Sequence, residues 1–379
     1  MGFVGFPLKN QQILLRGVKM EFQRFELKHE NENGELFENK LVKIIRSHNF
    51  NNIFYKGNGT NITWGQKVTE DSLYSPFGPL IADIEISTIC HGPKNKNGKD
   101  VPCSFCYKSN NSCGKNMTLE EFKVLFHKLP RTLTQIAFGI GDLQPLDAEM
   151  WKIFDYCRHN DYQEIVPNVT INGNFLTIEK AYKLKELMGA VAVSHYNDSC
   201  LDAVELLTSI GMKQINIHQL VSENTFDECM LLIEQIGADK RLSGLNAVVF
   251  LMLKPKGNRN DFKPITSEHY NTLIQACIDK NIPFGMDSCS ACAFQSITGS
   301  KFKKYIEPCE SFGLFSCYFN VDGKYFPCSF CEGVGNWKNG LDIKNDFLQD
   351  IWYNERVVAD REKSIKAGRK CIMYDLTLK

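Results

Sequence analysis

Cys90, Cys103 and Cys106 stand in Ile86-Ser87-Thr88-Ile89-Cys90 and Pro102-Cys103-Ser104-Phe105-Cys106-Tyr107, directly after the strand-like run 81–87. Three thiolates at the end of a strand, with an aromatic between the last two, suit an iron–sulfur cubane whose fourth iron stays free for another ligand. Twelve residues separate Cys90 from Cys103. They are rich in Gly, Pro, Asn and Lys, and predict a surface excursion. Lengthening a loop costs only about 0.6 kcal/mol per doubling, so the ligand geometry survives the insert. The competing chemistry is zinc. Cys103-x2-Cys106 and Cys328-x2-Cys331 are both Pro-Cys-Ser-Phe-Cys, and two such knuckles make a four-cysteine site. Against zinc, ribbon pairs usually lie within about 15–20 residues of each other, far closer than these two.

The triad resembles that of the radical S-adenosylmethionine (radical SAM) superfamily, whose first two cysteines are normally much closer together. The resemblance implies that Cys90, Cys103 and Cys106 hold a [4Fe–4S] cluster whose open iron chelates the amino and carboxylate groups of S-adenosylmethionine (AdoMet). Reductive cleavage then yields a 5′-deoxyadenosyl radical that removes hydrogen from a substrate, the cofactor carrying the hard chemistry. Phe138-Gly139-Ile140-Gly141-Asp142 is similar to the superfamily's Gly-Gly-Glu segment, with Ile140 in place of one glycine and Asp142 as the acid. That likeness implies that Gly139, Gly141 and Asp142 meet the AdoMet ammonium, the alternative being an ordinary glycine turn. Asn172 and Ser194 fall where such a fold offers polar groups to ribose or carboxylate, and Leu251 where it offers an adenine contact. Their commoner fates are a satisfied buried polar residue and a plain core strand. His195 and His218 follow the same logic and receive no ligand role. Lys254, Lys256 and Arg259 read equally as an anion site and as a solvated basic loop.

The elements that must carry these residues alternate from about residue 80. Strand-like runs at 81–87, 134–140, 165–172, 190–196, 214–221 and 245–253 are mostly β-branched and continuously apolar, as buried parallel strands are. Helical segments fall between them. Thr118-Leu119-Glu120-Glu121 opens one with a capping-box pattern, and Thr177-Ile178-Glu179-Lys180 another with a capping threonine. Six strand–helix units predict an α/β chain with a partial (β/α)6 TIM-type barrel at 79–286, its ligand site at the carboxyl ends of the strands. Residues 1–78 predict an α+β extension. Within it, 19–29 reads as a strand alternating Met20, Phe22, Phe25 and Leu27, 35–48 as a short helix, and 56–61 as a turn cluster.

At 287–379 cysteine becomes dense: Cys289, Cys292, Cys309, Cys317, Cys328, Cys331 and Cys371. Asp322-Gly323 is a hairpin signal that brings Cys309 and Cys328 together on or beside antiparallel strands. The pattern looks like the auxiliary-cluster hairpin of the SPASM and shorter twitch extensions in part of the superfamily. The likeness implies a small iron–sulfur domain of the twitch form with one auxiliary [4Fe–4S] cluster. Cys289, Cys309, Cys328 and Cys371 are its expected ligands, Cys331 competing with Cys371 and otherwise packing like Cys292 and Cys317. A helix before Cys371 returns that cysteine to the cluster. Cys157, Cys200, Cys229 and Cys277 sit in helix-like stretches and read as core.

Composition sets outer bounds. The chain has 379 residues, 43% hydrophobic and 23% charged, with 44 basic and 44 acidic residues. That balance is globular and argues against a globally electrostatic nucleic-acid binder. No apolar run approaches a membrane span, the start lacks a basic signal-peptide region, and fifteen cysteines suggest a reducing cytoplasm where thiols serve metal. The leading expectation is a radical SAM enzyme acting on a peptide or protein, supplied with electrons by a flavodoxin- or ferredoxin-type donor. The alternatives are modification of a nucleoside or nucleic acid, hinted at by Lys301-Phe302-Lys303-Lys304, and an iron–sulfur or zinc scaffold without turnover.

Overall fold

The computed structural model describes residues 14–15, 18–19, 21–29, 32–93, 99, 101–299 and 306–378. The chain divides into two compact units, Met1–Phe77 and Gly78–Lys379. In the first, β1 (Leu14–Leu15) and β2 (Val18–Lys19) form a short antiparallel ladder. β3 (Gln23–His29), β4 (Glu32–Glu38), β5 (Val42–Ser47), β6 (Asn51–Tyr55) and β7 (Asn61–Trp64) form an antiparallel sheet in sequence order. The strand expected over 19–29 is met only over 23–29 by β3: Lys19 ends β2 of the separate ladder, residues 21–22 are not strand, and Met20 lies outside the described residues. The helix expected over 35–48 is not there: β4 and β5 occupy it. Val42, Ile44 and Ile45 are β-branched and favour a pleated surface. Asn39 also breaks any helix, because its Oδ1 accepts the backbone N–H groups of Leu41 and Val42 at 2.8 and 2.9 Å. Among the described residues this unit is therefore all β rather than α+β.

The second unit alternates strand and helix. Its strands are β8 (Ile81–Glu85), β9 (Gln135–Gly139), β10 (Val166–Ile171), β11 (Val191–Ser194), β12 (Ile215–Val221), β13 (Ala247–Met252), β14 (Phe284–Met286), β15 (Ser316–Phe319) and β16 (Tyr325–Phe326). Its helices are α1 (Leu119–Phe126), α2 (Glu149–Arg158), α3 (Ile178–Leu187), α4 (Ser199–Ser209), α5 (Phe226–Ala238), α6 (Ser267–Asp279), α7 (Ala291–Thr298) and α8 (Glu355–Lys366). One nine-stranded sheet has the order β14-β13-β12-β11-β10-β9-β8-β15-β16. Every pairing in it is parallel except the β15–β16 hairpin, and β15 pairs in parallel with β8. The residues after 287 thus extend the same sheet. Thr118 caps α1 in a full capping box, and the Thr177 side chain caps α3. Among the described residues, no helix is long and apolar enough to cross a membrane.

The strands are not continuously apolar. Ala82, Ile84, Ile136, Phe138, Val169, Ile171, Val191, Val193, Ile215, Ile217, Val248 and Phe250 alternate into the core with the helices. Successive strand side chains point to opposite faces, and the registers align Asp83 with Ala137, Glu85 with Gly139, Thr170 with Ala192, and Ser194 with His218 on the other face. That second face is polar, with small residues beside the polar ones. Cys157, Cys200, Cys229 and Cys277 are buried on α2, α4, α5 and α6, as their helical setting predicts.

The last helix is held by one buried cation. Arg361 on α8 is 4% exposed, and its guanidinium donates to the Gly313 and Trp352 carbonyls, both at 2.6 Å. Hydrogen bonds to a charged group are each worth about 1.5–3 kcal/mol. Arg361→Met, which keeps the aliphatic bulk, should therefore cost about 3 kcal/mol of stability, measured by urea unfolding. A loss within experimental error of zero would mean that α8 docks on apolar contact alone.

Candidate functional site

The chain leaves β8 through residues tied to the return of the excursion. Thr88 N–H donates to Lys115 O, Cys90 N–H to Asn111 O, and Met117 N–H to Ile86 O, each at 2.9 Å. Val101 N–H donates to Pro93 O at 3.1 Å, so the insert is pinched at its own neck. Gly92 sits at that neck with φ +72°, and a Cβ there would lie 2.1 Å from the Val101 oxygen. Cys90 is thereby carried to Cys103 and Cys106 despite the twelve intervening residues. Residues 94–98 and 100 lie outside the described residues.

The three thiols are partly exposed and close enough to feel one another's charge. Burial, then the neighbouring Asp142 and Cys106 charges, pushes the Cys90 thiol up to about 11, against hydrogen bonds that favour its thiolate. Burial and its two partner cysteines push Cys103 up to about 12. Gly92 N–H and Asn172 Nδ2 donate to Cys90 Sγ at 3.4 and 3.9 Å, and Tyr196 donates to Cys103. Two thiols that resist joint ionisation, Cys90 and Cys103, each with an N–H or O–H donor, fit a cofactor with several positive iron centres. Among the described residues, no three or more His, Cys, Asp or Glu converge on a single metal-ion position. A cubane binds each cysteine at a different iron and asks for a wider spread than one ion does.

Asp142 is buried behind Cys90. Its Oδ2 accepts His91 N–H and Nδ1, both at 2.7 Å; its Oδ1 accepts Asn172 Nδ2 at 2.6 Å and Asn174 Nδ2 at 3.4 Å. Gly141 packs under the same strand end, where a Cβ would fall 1.8 Å from Ile89 O and 2.6 Å from Cys90 Cβ. Gly139 lies on the polar face at the end of β9, Ser194 at the end of β11 beside His218, and Leu251 on β13 opposite Leu220. His195 Nδ1 meets Gln219 Oε1 at 2.6 Å, and burial lowers His218 to about 4.

A second thiol group draws on residues 289–371. Cys289 lies in a tight turn after β14, Cys328 follows β16, and Cys371 follows α8. Arg369 ties Cys309 to the Cys371 segment through Cys309 N–H to Arg369 O at 3.2 Å and Arg369 Nε to Cys309 O at 2.9 Å. Burial raises Cys289, Cys309 and Cys371, and each also feels the charge of Cys328. Cys331 belongs to the group as well. The Cys328 and Cys331 thiols share a hydrogen bond, so that one ionises more readily at the other's expense. Cys317 points to the helix side of β15, level with Ala82, and Cys292 lies on α7.

Sequence reading missed what joins the two groups. The Tyr107 and Phe330 rings lie 4.4 Å apart, one residue beyond Cys106 and one before Cys331. Lys108 pairs with Glu85 at 3.0 Å and with Glu332, and donates to Tyr318 at 2.8 Å. Lys256 donates to the Ser329 and Glu332 carbonyls at 3.2 and 2.8 Å, and Arg259 to those of Ser109 and Asn110 at 3.3 and 3.0 Å. Lys254 pairs with Asp287, which with nearby thiolate charge raises its ammonium despite burial. The three cations of that loop are thus engaged by the cysteine turns and their surroundings rather than left solvated. The signal in the sequence was the complementary charge after the repeated motif, Lys108 after one copy and Glu332 after the other.

Gly141→Ala tests how tightly this packing is fixed. Overpacking costs about 1–3 kcal/mol, and the variant should melt earlier and hold less iron on reconstitution. Unchanged melting and iron content would show that residues 89–90 can yield.

Compared as sequence, the chain matches no protein-family model and no curated protein. Compared as structure, it resembles anSMEcpe solved with bound AdoMet and a Cp18Cys peptide, at 16% identity over 78% of this chain and 86% of that one, TM-score 0.56. A histidine-tagged anSMEcpe with bound AdoMet aligns at 16% identity over 77% and 81%, TM-score 0.54. The form with a Kp18Cys peptide aligns at 15% over 77% and 86%, TM-score 0.52. The chain thus shares the fold of anSMEcpe, a protein solved with AdoMet bound.

Proposed function

We propose that this chain is an iron–sulfur enzyme that cleaves AdoMet reductively and removes hydrogen from a peptide or protein substrate. The carrying observation is the meeting of Cys90, Cys103 and Cys106 at the carboxyl end of the first strand of a parallel sheet whose fold matches an AdoMet-bound enzyme. A [4Fe–4S] cluster and AdoMet, when bound there, supply the 5′-deoxyadenosyl radical. β8 to β13 with their helices form the (β/α)6 partial barrel of this reading, 1–78 its N-terminal extension and 287–379 the twitch-like auxiliary domain. Gly139, Gly141, Asn172, Ser194 and Leu251 border the AdoMet side, with Asp142 held behind Cys90 by His91 and Asn172.

Around the triad, the chain's own residues supply orientation and charge control. Gly92 N–H and Asn172 draw electron density from Cys90 Sγ, and Tyr196 does so from Cys103. The polar face of the sheet offers donors and acceptors for substrate next to Ala137, Gly139 and Ala192, which leave room. A peptide substrate is supported by the peptide named with anSMEcpe. The second thiol group, with Cys289, Cys309, Cys328 and Cys371 as ligands, suits an auxiliary [4Fe–4S] cluster that accepts an electron or meets substrate. A flavodoxin- or ferredoxin-type donor in the cytoplasm completes this reading. The nucleic-acid alternative rested on Lys301-Phe302-Lys303-Lys304, which lies outside the described residues.

Anaerobic reconstitution with iron and sulfide, followed by AdoMet and dithionite, should yield 5′-deoxyadenosine detectable by mass spectrometry. The variant Cys90→Ala/Cys103→Ala/Cys106→Ala should make none, while its iron content falls by one cluster and not to zero. Undiminished 5′-deoxyadenosine from that variant would refute the assignment. For the auxiliary group, single Cys→Ser changes at 289, 309, 328 and 371 in the triad-free background should each abolish the remaining EPR signal. Loss at Cys331 with Cys371 dispensable would exchange those two ligands.

A further inference from the structure

The carboxylate of Asp142 has its two oxygens filled by the chain itself. His91 brings both its backbone N–H and its Nδ1 to Oδ2, and Asn172 and Asn174 bring their Nδ2 groups to Oδ1. Asn174 also donates to Gly92 O at 2.6 Å, and Asn172 reaches Cys90 Sγ. The three donor residues therefore sit on two segments: 91–92, directly after the first cysteine, and 172–174, directly after β10. Asp142 stands between them, one residue beyond the glycine that packs on Ile89 and Cys90.

We infer that Asp142 is a positioning residue that clamps Cys90 from behind through His91 and the Asn172–Asn174 turn, and not an acceptor for the AdoMet ammonium. This rests on reading Cys90, Cys103 and Cys106 as cluster ligands. The long insert supplies the physical reason. Where a long excursion begins two residues past the first ligand, the ligand's own backbone has less to fix it. A buried carboxylate with donors from two elements restores that rigidity. An ammonium reaching Asp142 would have to displace a donor and leave it unpaired in a buried site, where unpaired polar groups are costly.

The test uses the full chain with iron and sulfide restored, and reads the triad cluster by EPR and by its loss to a competing chelator. Removing a group that orients a metal ligand typically costs about 10–100-fold in metal affinity, and Asp142→Ala should lose triad iron by that factor. Asp142→Asn should do the same, because one oxygen becomes an NH2 facing either the Asn172 donor or His91. Asn174→Ala should show a smaller loss, and it carries the test if the Asp142 variants do not fold. AdoMet affinity of the molecules that retain the cluster should be unchanged. Full cluster retention with weakened AdoMet binding would overturn the clamp and make Asp142 an AdoMet contact. Full retention with unchanged affinity would also overturn it. If wild-type protein holds no cluster that the Cys90→Ala/Cys103→Ala/Cys106→Ala variant removes, the reading beneath fails instead, and the two failures are distinct.

Discussion

The closing of a long excursion on a short neck is the constraint on which the candidate site depends. Residues 86–90 leave the sheet paired to 111–117, and Pro93 is bonded to Val101. The entropy of an inserted loop grows slowly with its length, so once the neck is fixed the insert can lengthen without moving either end. Arg259 reinforces the far side by gripping the carbonyls of Ser109 and Asn110, and Asn258 N–H meets Ser109 Oγ at 2.8 Å. Segments after β8, β9, β10 and β13 therefore all converge on the two cysteine turns. Four elements of one sheet, rather than one flexible loop, decide where the thiols lie.

A polar sheet face inside a large unit must be either wet or internally satisfied. Here it is both. Glu85, Lys108, Tyr318 and Glu332 form a closed network in which one ammonium meets two carboxylates and a phenol. Burial nevertheless raises the Glu85 carboxyl above the usual range. Two residues away Asp83 is exposed in mid-strand, level with Ala137 and Tyr318. An exposed side chain in the middle of an internal strand means that the sheet is open on that face. Small neighbours such as Ala137 and Gly139 explain why.

The alternation of strand and helix was legible because it rests on local pattern. Alternating strand and helix with caps at Thr118 and Thr177 is written within a few residues, and Cys90 stands at a strand end by simple adjacency. The N-terminal unit misled because residues 35–48 hold two strands joined by an Asn39 turn, and apolar residues at both helical and strand spacing leave the period ambiguous. The polar face was hidden for a different reason. Runs such as 214–221 look apolar by count, yet Asn216 and His218 fall on one face and Ile215 and Ile217 on the other, which only the register reveals. His91, Asn174 and Glu332 were unreadable because their partners are dozens to hundreds of residues away.

The two copies of Pro-Cys-Ser-Phe-Cys show how surroundings, and not the motif, assign a role. In the first, Cys103 and Cys106 are partly exposed, and Phe105 packs between Tyr196 and Phe262 at 5.7 and 5.2 Å. In the second, Cys331 is fully buried and its thiol meets that of Cys328, while Phe330 turns to Tyr107 and takes the Lys254 ammonium over its ring at 4.8 Å. Cys371 carries backbone N–H donors from Met373 and Tyr374 that favour its thiolate. Hydrogen bonds from N–H groups are what a coordinating sulfur normally receives. The same five residues thus sit in two different settings, partly exposed beside Tyr196 and Phe262 in one copy and, in the other, with Cys331 buried and Phe330 packed against Tyr107.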